Sequence, residues 1–410
     1  MKSKSKDSML HSWKNSYVLL SLSMFLLSHS ACSQVAQEQK EQSKKLLLGV
    51  ERTEAYFPLL KGKQIGFVGN HTSILSGKHL VDSLLAANFN VLKVFSPEHG
   101  FRGEADAGEK VADGIDSQTG LPVISLYGKN RKPKAEQLEG IGVLLFDIQD
   151  VGARFYTYIS TLHYVMEAAA ENKIPLILLD RPNPNGHYVD GPILEQAHQS
   201  FVGMHQVPIV HGMTIGEYAK MINQEGWLAN GAKCDLQIIE CQNYDRNQLY
   251  EITIQPSPNL PNTKAVLLYP SLCLFEGTQI SVGRGTTAPF QQFGHPELKD
   301  FNSNFIPRPT KGAKSPKLSG QKCFGRSFEA ESIAALFAAD SLNLTYLIES
   351  YQAYPKKKTF FTNFFTLLAG TEQLEKQIKQ GISADEIRSY WQAGLSEFKS
   401  MRKRYLLYPE

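Results

Sequence analysis

The sequence predicts an α/β fold: a Rossmann-like, mostly parallel sheet with helices on both faces, followed by a smaller C-terminal α+β domain. Three observations carry this. Short, near-continuous apolar runs alternate with segments of helical spacing, the pattern of strands buried on both faces. Each run stops abruptly at a knot of polar and glycine residues, as strands do where they leave a sheet. The Pro-rich segment 255–262 (QPSPNLPN) then breaks the alternation and divides 47–254 from 255–410. A chain of 410 residues has room for two such domains.

Residues 64–68 (QIGFV) read as the first strand, ending at Gly69-Asn70-His71, and 80–87 have helical spacing. The second strand is 91–95, the third 123–126, and the fourth 143–146, ending at Asp147-Ile148-Gln149-Asp150. A helix over 161–171 puts Leu162, Val165, Met166 and Ala169 on one face. The fifth strand, 176–179, runs into Asp180-Arg181-Pro182-Asn183. A further strand-like run, 235–240, lies between Cys234 and Cys241. Beyond the Pro-rich segment come an apolar stretch at 264–275, a polar loop at 311–322 and an amphipathic closing helix at 387–405. Phe360, Phe361, Phe364 and Phe365 read as core rather than a binding platform, and so do Trp227 and Trp391, whose alternative is stacking on a sugar.

The N-terminus is an address. Lys2, Lys4, Lys6 and Lys14 precede an apolar run at 17–27, too short for a transmembrane helix, and Ser30-Ala31-Cys32 follows. Residues 1–32 read as a signal peptide of lipoprotein type with Cys32 as the lipidated residue, and 33–46 as a polar tether. His29 stands where an aliphatic residue is usual, and an ordinary cleaved signal is the competing reading. Either way the mature protein is exported, as a periplasmic or membrane-anchored lipoprotein whose only membrane contact is that anchor. Lys+Arg number 43 and Asp+Glu 40; leaving out the four Lys and one Asp before Ala31 leaves 39 of each. Nothing in that balance suggests a nucleic-acid partner. Cys234, Cys241, Cys273 and Cys323 have neither metal-site nor dense disulfide spacing, so buried thiols are expected.

Right-handed crossovers place every parallel strand's C-terminal end on one edge of the sheet, where ligands of open α/β sheets bind. That edge collects Asn70, then Glu98, His99, Arg102 and Glu104, then Asp150 and Arg154, then Asp180, Arg181 and Asn183. The densest loop is 96–109 (SPEHGFRGEADAGE), whose four carboxylates suit acid/base work on a polar, uncharged substrate. A solvated surface loop is the plain alternative. Arg154 also reads as a surface charge, Asp180-Arg181 as a pair pinning its turn, and Asn70 and Asn183 as turn formers. Glu276 in FEGT and Arg284 in SVGRGT are groups that the second domain would lend to the cleft.

No G-x-G-x-x-G follows the first strand and no G-x-x-x-x-G-K-[ST] occurs, so neither a dinucleotide nor a nucleoside triphosphate is expected. There is no G-x-S-x-G elbow or H-E-x-x-H, and the histidines lack ligand spacing, so no metal is expected.

SPEHGFRG at 96–103, GEKV at 108–111, LFDIQDVGARFYTY at 145–158, LDRPNP at 179–184, and FEGT with SVGRGT resemble the exo-β-N-acetylmuramidase (NamZ) family. The resemblance runs from about Leu48 to the C-terminus. It implies a cleft between the two domains that releases terminal β-N-acetylmuramic acid (MurNAc) from peptidoglycan fragments, without cofactor or metal. Glu98 is then the lead catalytic carboxylate, with Arg102 and Glu104 as further motif positions. Glycoside hydrolysis needs an acid and a second group. Glu98 is the candidate acid; the second is Glu104, Asp150 or the substrate's own acetamido oxygen, oriented by Tyr156 or Tyr158. Arg102 or Arg154 suits the lactyl carboxylate. His99, Asn70, Asp180, Arg181, Asn183, Glu276 and Arg284 complete the expected substrate contacts. The alternatives are a non-catalytic periplasmic lipoprotein that binds sugars or muropeptides, and a metal-dependent hydrolase.

Overall fold

The apolar runs do become strands, and they join in a single sheet. The computed structural model describes residues 45–102 and 113–410. In chain order the strands are β1 (Gln64–Gly69), the small hairpin β2 (Ile74–Leu75) and β3 (Lys78–His79), β4 (Asn90–Ser96), β5 (Gly114–Ile115), β6 (Pro122–Ser125), β7 (Val143–Asp147), β8 (Leu176–Leu179) and β9 (Leu236–Ile239). Across the main sheet they lie β5-β6-β4-β1-β7-β8-β9, and every neighbouring pair is parallel except β5 with β6. Counting only the parallel strands in chain order, this is the doubly wound 3-2-1-4-5-6 arrangement. The winding reverses after β6, so the crevice of this topology opens past the C-terminal ends of β4, β1 and β7.

Alternate residues of the central strands feed two different cores. Ile65 and Phe67, Val143 and Leu145, and Ile177 and Leu179 pack on one face with Tyr56, Leu60, Leu80, Val81 and Leu84. Val68, Leu144, Phe146, Leu176 and Leu178 pack on the other with Leu162, Val165, Met166, Tyr218 and Met221. Burial on both faces is why these strands read as continuous apolar runs rather than alternating ones.

Helix Tyr158–Glu171 starts three residues before the sequence expectation of 161. Its N-cap, Thr157, makes no side-chain capping bond, so the usual start signal is missing. Helix Ile215–Gln224 has a full capping box, Thr214 with Glu217. The stretch 264–275 forms helix Thr263–Leu272, capped by Asn262, followed by a 3₁₀ turn at Cys273–Gly277. Three antiparallel strands, β10 (Gln292–His295), β11 (Ser303–Phe305) and β12 (Cys323–Ser327), lie in the order β10-β12-β11.

The closing helix spans Ala384–Arg402 and buries Ile387, Trp391, Leu395 and Phe398 on one stripe. Its tail docks back on the first half of the chain: the Tyr408 hydroxyl donates to Asp180 Oδ2 at 2.6 Å, and Arg246 donates to the carbonyls of Tyr408 and Pro409. Leu47–Glu410 accordingly forms one unit by its contacts. Cys234, Cys241, Cys273 and Cys323 are buried free thiols. Phe360 and Phe365 are core, but Phe364 is 39% exposed, which corrects its reading as core. Among the described residues no helix is long and apolar enough to cross a membrane.

Candidate active site

At the topological crevice lies a cleft of about 910 Å³, near the upper end of the range for small-ligand sites. The loop after β4 supplies Glu98 and His99, the loop after β6 supplies Tyr127 and Arg131, and the loop after β7 supplies Phe155 to Tyr158. The rest of the lining comes from later in the chain: Ser257 and Asn259, Tyr269, Glu276, Arg284 and the segment 312–317.

Glu98 is half-buried and sits at the turn that ends β4. His99 and Gly100 follow with φ of 74° and 76°, so two consecutive residues adopt the left-handed region. For His99 that is a strained conformation, of the kind surrounding structure must hold in place. Thr157 donates to Glu98 Oε2 at 3.4 Å, which is where the missing helix cap went. The carboxylate therefore lies by the positive end of helix Tyr158–Glu171. The Tyr127 hydroxyl donates to Glu98 as well; burial, then the Glu98 charge, push this phenol well above its ordinary range.

The floor is aromatic. Tyr269 packs edge-on against Phe155, Tyr156 and Phe290 at 5.0–5.7 Å between centroids. Tyr156 and Tyr158 both donate to the Pro256 carbonyl, at 2.8 and 3.2 Å, and Asn70 donates to the Tyr158 hydroxyl at 2.9 Å. Their hydroxyl protons are thus spent on the backbone, which leaves neither phenol free to orient a substrate by donation. The Pro-rich segment, read as a boundary, is a wall of the cleft held by these two bonds.

In the later part of the lining Arg284 clasps Glu276 bidentately at 2.7 and 2.8 Å. Burial is the largest influence and opposes both charges, but the partner's charge and its hydrogen bonds together outweigh it, so Glu276 stays below its ordinary value and Arg284 above. Lys317 donates to the carbonyls of Thr278, Ile280 and Glu276 at 2.6, 3.3 and 3.4 Å; burial lowers it below the ordinary lysine value. Two carboxylates and four cations (Arg131, Arg284, Lys314 and Lys317) line the cleft. That excess suits an anionic ligand rather than the uncharged one the Glu98 loop suggested.

Several residues expected at the site do not reach the cleft. The Arg154 guanidinium is fully buried and donates to the carbonyls of Pro192, Val207, Leu368 and Ala369 at 2.7–3.0 Å; burial pulls it down to about 9. It is neither a surface charge nor available to a lactyl group. Arg102 is clamped between Asp116 (2.7 and 3.0 Å) and Asp82 (3.2 Å) and joins the flanks of segment 103–112. Its hydrogen bonds hold Asp116 down at about 2. Asp180 caps helix Ile215–Gln224 through Gly216 N–H and Thr214, and burial raises it to about 7. Arg181 pairs with Asp147 at 2.6 and 2.8 Å, not with Asp180.

Asn183 donates to the Met213 carbonyl and packs so tightly on Gly152 (φ 78°) that a Cβ there would lie 2.0 Å from its side-chain oxygen. Asp150 lies outside the cleft lining and is buried; one oxygen accepts from Gly152 N–H at 2.7 Å and the other has no partner. Burial pushes it up to about 7. Asn70 supports Tyr158 from behind. Glu104 and Cys32 lie outside the described residues. Among the described residues no group of three His, Cys, Asp or Glu is gathered to hold a metal ion. Tyr127, Arg131 and Thr157 were not singled out from the sequence. The stretch Gly128-Lys129-Asn130-Arg131 reads as a solvated turn, and only its place after a strand end marks it.

Profiles described as exo-β-N-acetylmuramidase NamZ match this chain, the N-terminal one over residues 65–264 and the C-terminal one over 267–408. The chain belongs to the NamZ family. It is 38% identical over 411 residues to the peptidoglycan β-N-acetylmuramidase NamZ of Bacillus subtilis (strain 168), covering 95% of this chain and 98% of that one. Two DUF1343 family proteins of Bacteroides fragilis NCTC 9343 share the fold. One has a TM-score of 0.84 and 48% identity, covering 90% of this chain and 100% of its own. The other has 0.77 and 30%, covering 89% and 99%. In this NamZ member the cleft, which Glu98 lines, is built by segments from both matched regions.

Proposed function

We propose that the protein is an exo-acting glycoside hydrolase that releases terminal β-MurNAc from peptidoglycan fragments, with Glu98 as general acid. The observation that carries this reading is the Glu98 carboxylate, held by Tyr127 and Thr157 at the topological crevice of a cation-rich cleft. The name of the Bacillus subtilis relative supports the same chemistry.

Glycosidic cleavage needs a proton on the leaving oxygen and help at the anomeric carbon. Among the described residues the cleft offers two carboxylates, and both oxygens of Glu276 are taken by Arg284. Asp150 is walled off behind the floor. The second role therefore falls to Glu104 or to the substrate's own acetamido oxygen. Export, with anchoring through Cys32, completes the proposal by placing the enzyme where cell-wall fragments are.

The test is turnover of a chromogenic β-MurNAc glycoside by the parent and by Glu98→Gln, with and without chelator. The variant should stay folded and lose at least ~100-fold of the rate. Binding of the glycoside without turnover by the parent would instead make the protein a binding module, and loss of activity with chelator would make it a metal enzyme.

A further inference from the structure

The cleft-lining cations differ in how their hydrogen-bond donors are spent. Arg284 commits two nitrogens to Glu276, Lys317 is spent on three carbonyls, and Lys314 has contacts of its own. Arg131 differs from these three. It is exposed, and its guanidinium carbon lies 4.3 Å from the centroid of the Phe201 ring. Among the described residues it makes no hydrogen bond and no ion pair.

The ring beneath it is itself held. Ser160 donates to the Phe201 carbonyl at 2.8 Å, Ser200 and Gly203 exchange backbone hydrogen bonds around it, and Tyr164 lies stacked with it at 6.3 Å. A guanidinium held over an aromatic ring by its cation–π attraction keeps its N–H groups for other partners, and its planar fork can clasp a carboxylate bidentately. Tyr127 links this cation to the chemistry: it donates to Glu98, and it feels the charge of Arg131. The same short loop after β6 thus carries a group bound to the acid and a cation with unspent donors.

We propose that Arg131, seated on Phe201, is the residue that recognises the lactyl carboxylate of the terminal sugar and so sets the preference for MurNAc over N-acetylglucosamine (GlcNAc). This rests on the glycosidase reading above and replaces Arg102 and Arg154 in that role. The Phe201 ring holds the guanidinium, and Tyr127, which meets Glu98 and feels the Arg131 charge, puts both groups on one cleft, so a sugar whose glycosidic oxygen meets Glu98 would offer its C3 substituent to Arg131.

The experiment compares the parent with Arg131→Gln, Arg131→Lys and Phe201→Ala. The substrates are a β-MurNAc glycoside, its lactyl amide, the β-GlcNAc glycoside and a peptide-bearing MurNAc glycoside. Arg131→Gln should lower kcat/KM on the β-MurNAc glycoside by about 10- to 100-fold, mostly through KM, the range of one lost charge-assisted pair. Rates on the lactyl amide and on the GlcNAc glycoside should stay within about twofold, so the preference collapses. Arg131→Lys should keep part of it, and Phe201→Ala should weaken it with Arg131 still present. Unfolding midpoints measured alongside exclude a folding defect. An equal fall on all substrates, no fall on any, or a loss confined to the peptide-bearing substrate would overturn the assignment. A parent inactive on every glycoside would defeat the glycosidase reading instead. Normal MurNAc turnover by Arg131→Gln would defeat only this inference.

Discussion

Changing Asp150 to Asn should stabilise the protein at alkaline pH and leave turnover intact. Asp150 is buried, without a neighbouring cation, and has one oxygen unpartnered. Burial raises it from 3.8 to about 7, a gap worth about 4 kcal/mol when the group is forced to ionise. The sign follows from proton linkage. Between those two values the folded state holds a proton that the unfolded state has released, so stability is greatest below 3.8 and falls as pH rises to about 7. Asn keeps an oxygen for Gly152 N–H and cannot ionise. Near pH 4 parent and variant should be alike, because each carries one unpartnered buried group. The variant should then gain about 1.4 kcal/mol per pH unit up to about pH 7 and stay level beyond. Relaxation of the site would bring the plateau to about 2–4 kcal/mol. Urea unfolding of both proteins across pH 4 to 9 measures this directly. Parallel curves would refute the buried, uncompensated acid. A 100-fold loss of turnover in a folded variant would refute its placement behind the floor, and would restore it as a reacting group.

Two further outcomes follow from the same geometry, and a third from the sequence of the N-terminus. Arg154→Met removes the donor from four carbonyls and should cost at least ~3 kcal/mol in unfolding experiments, while any activity of the folded fraction keeps its MurNAc preference. Arg102→Met breaks the clamp on Asp82 and Asp116, so turnover of MurNAc and GlcNAc glycosides should fall together with their ratio unchanged. Cys32→Ser should release the protein from the detergent phase of membrane extracts and leave its turnover unchanged; continued partitioning with membranes would remove the lipid anchor.

The strands were legible because burial on both faces leaves no choice of composition: 143–146 and 176–179 are apolar at every position, and both form. Glu98 stood out for the opposite reason, an ionisable group where the apolar run ends. The arginines were not legible. Arg154, Arg181, Arg284 and Arg131 all follow strands or glycine-rich turns, and a sequence gives no account of where five donors go. Burial forces Arg154 onto carbonyls and Arg181 onto Asp147, whereas Arg131 lies in a loop whose composition looks like solvent-facing turn. Phe364 was misjudged because aromatic crowding is ordinarily core, and only its place at the cleft mouth separates it from Phe365.

The residues that failed as ligands hold the walls of the cleft together. Arg154 bonds Pro192 and Val207 on one side and Leu368 and Ala369 on the other, so a single buried cation joins segments more than 150 residues apart in sequence. Tyr156 and Tyr158 tie the β7 loop to Pro256. Tyr408 ties the C-terminal tail to Asp180. Each tie lies on the strand edge where polar groups were expected, yet each spends them on backbone or on one another. A buried polar group without a partner is costly, so those near a deep cleft are mostly consumed in holding its walls. Two groups differ: the Glu98 carboxylate, held by two hydroxyl donors at the cleft, and the fork of Arg131, which makes no hydrogen bond among the described residues. Preorganised groups of this kind contribute most when little reorganisation is needed as charge develops. If the proposed exo-acting hydrolysis holds, a site that must position one terminal sugar gains directly from walls that are already fixed.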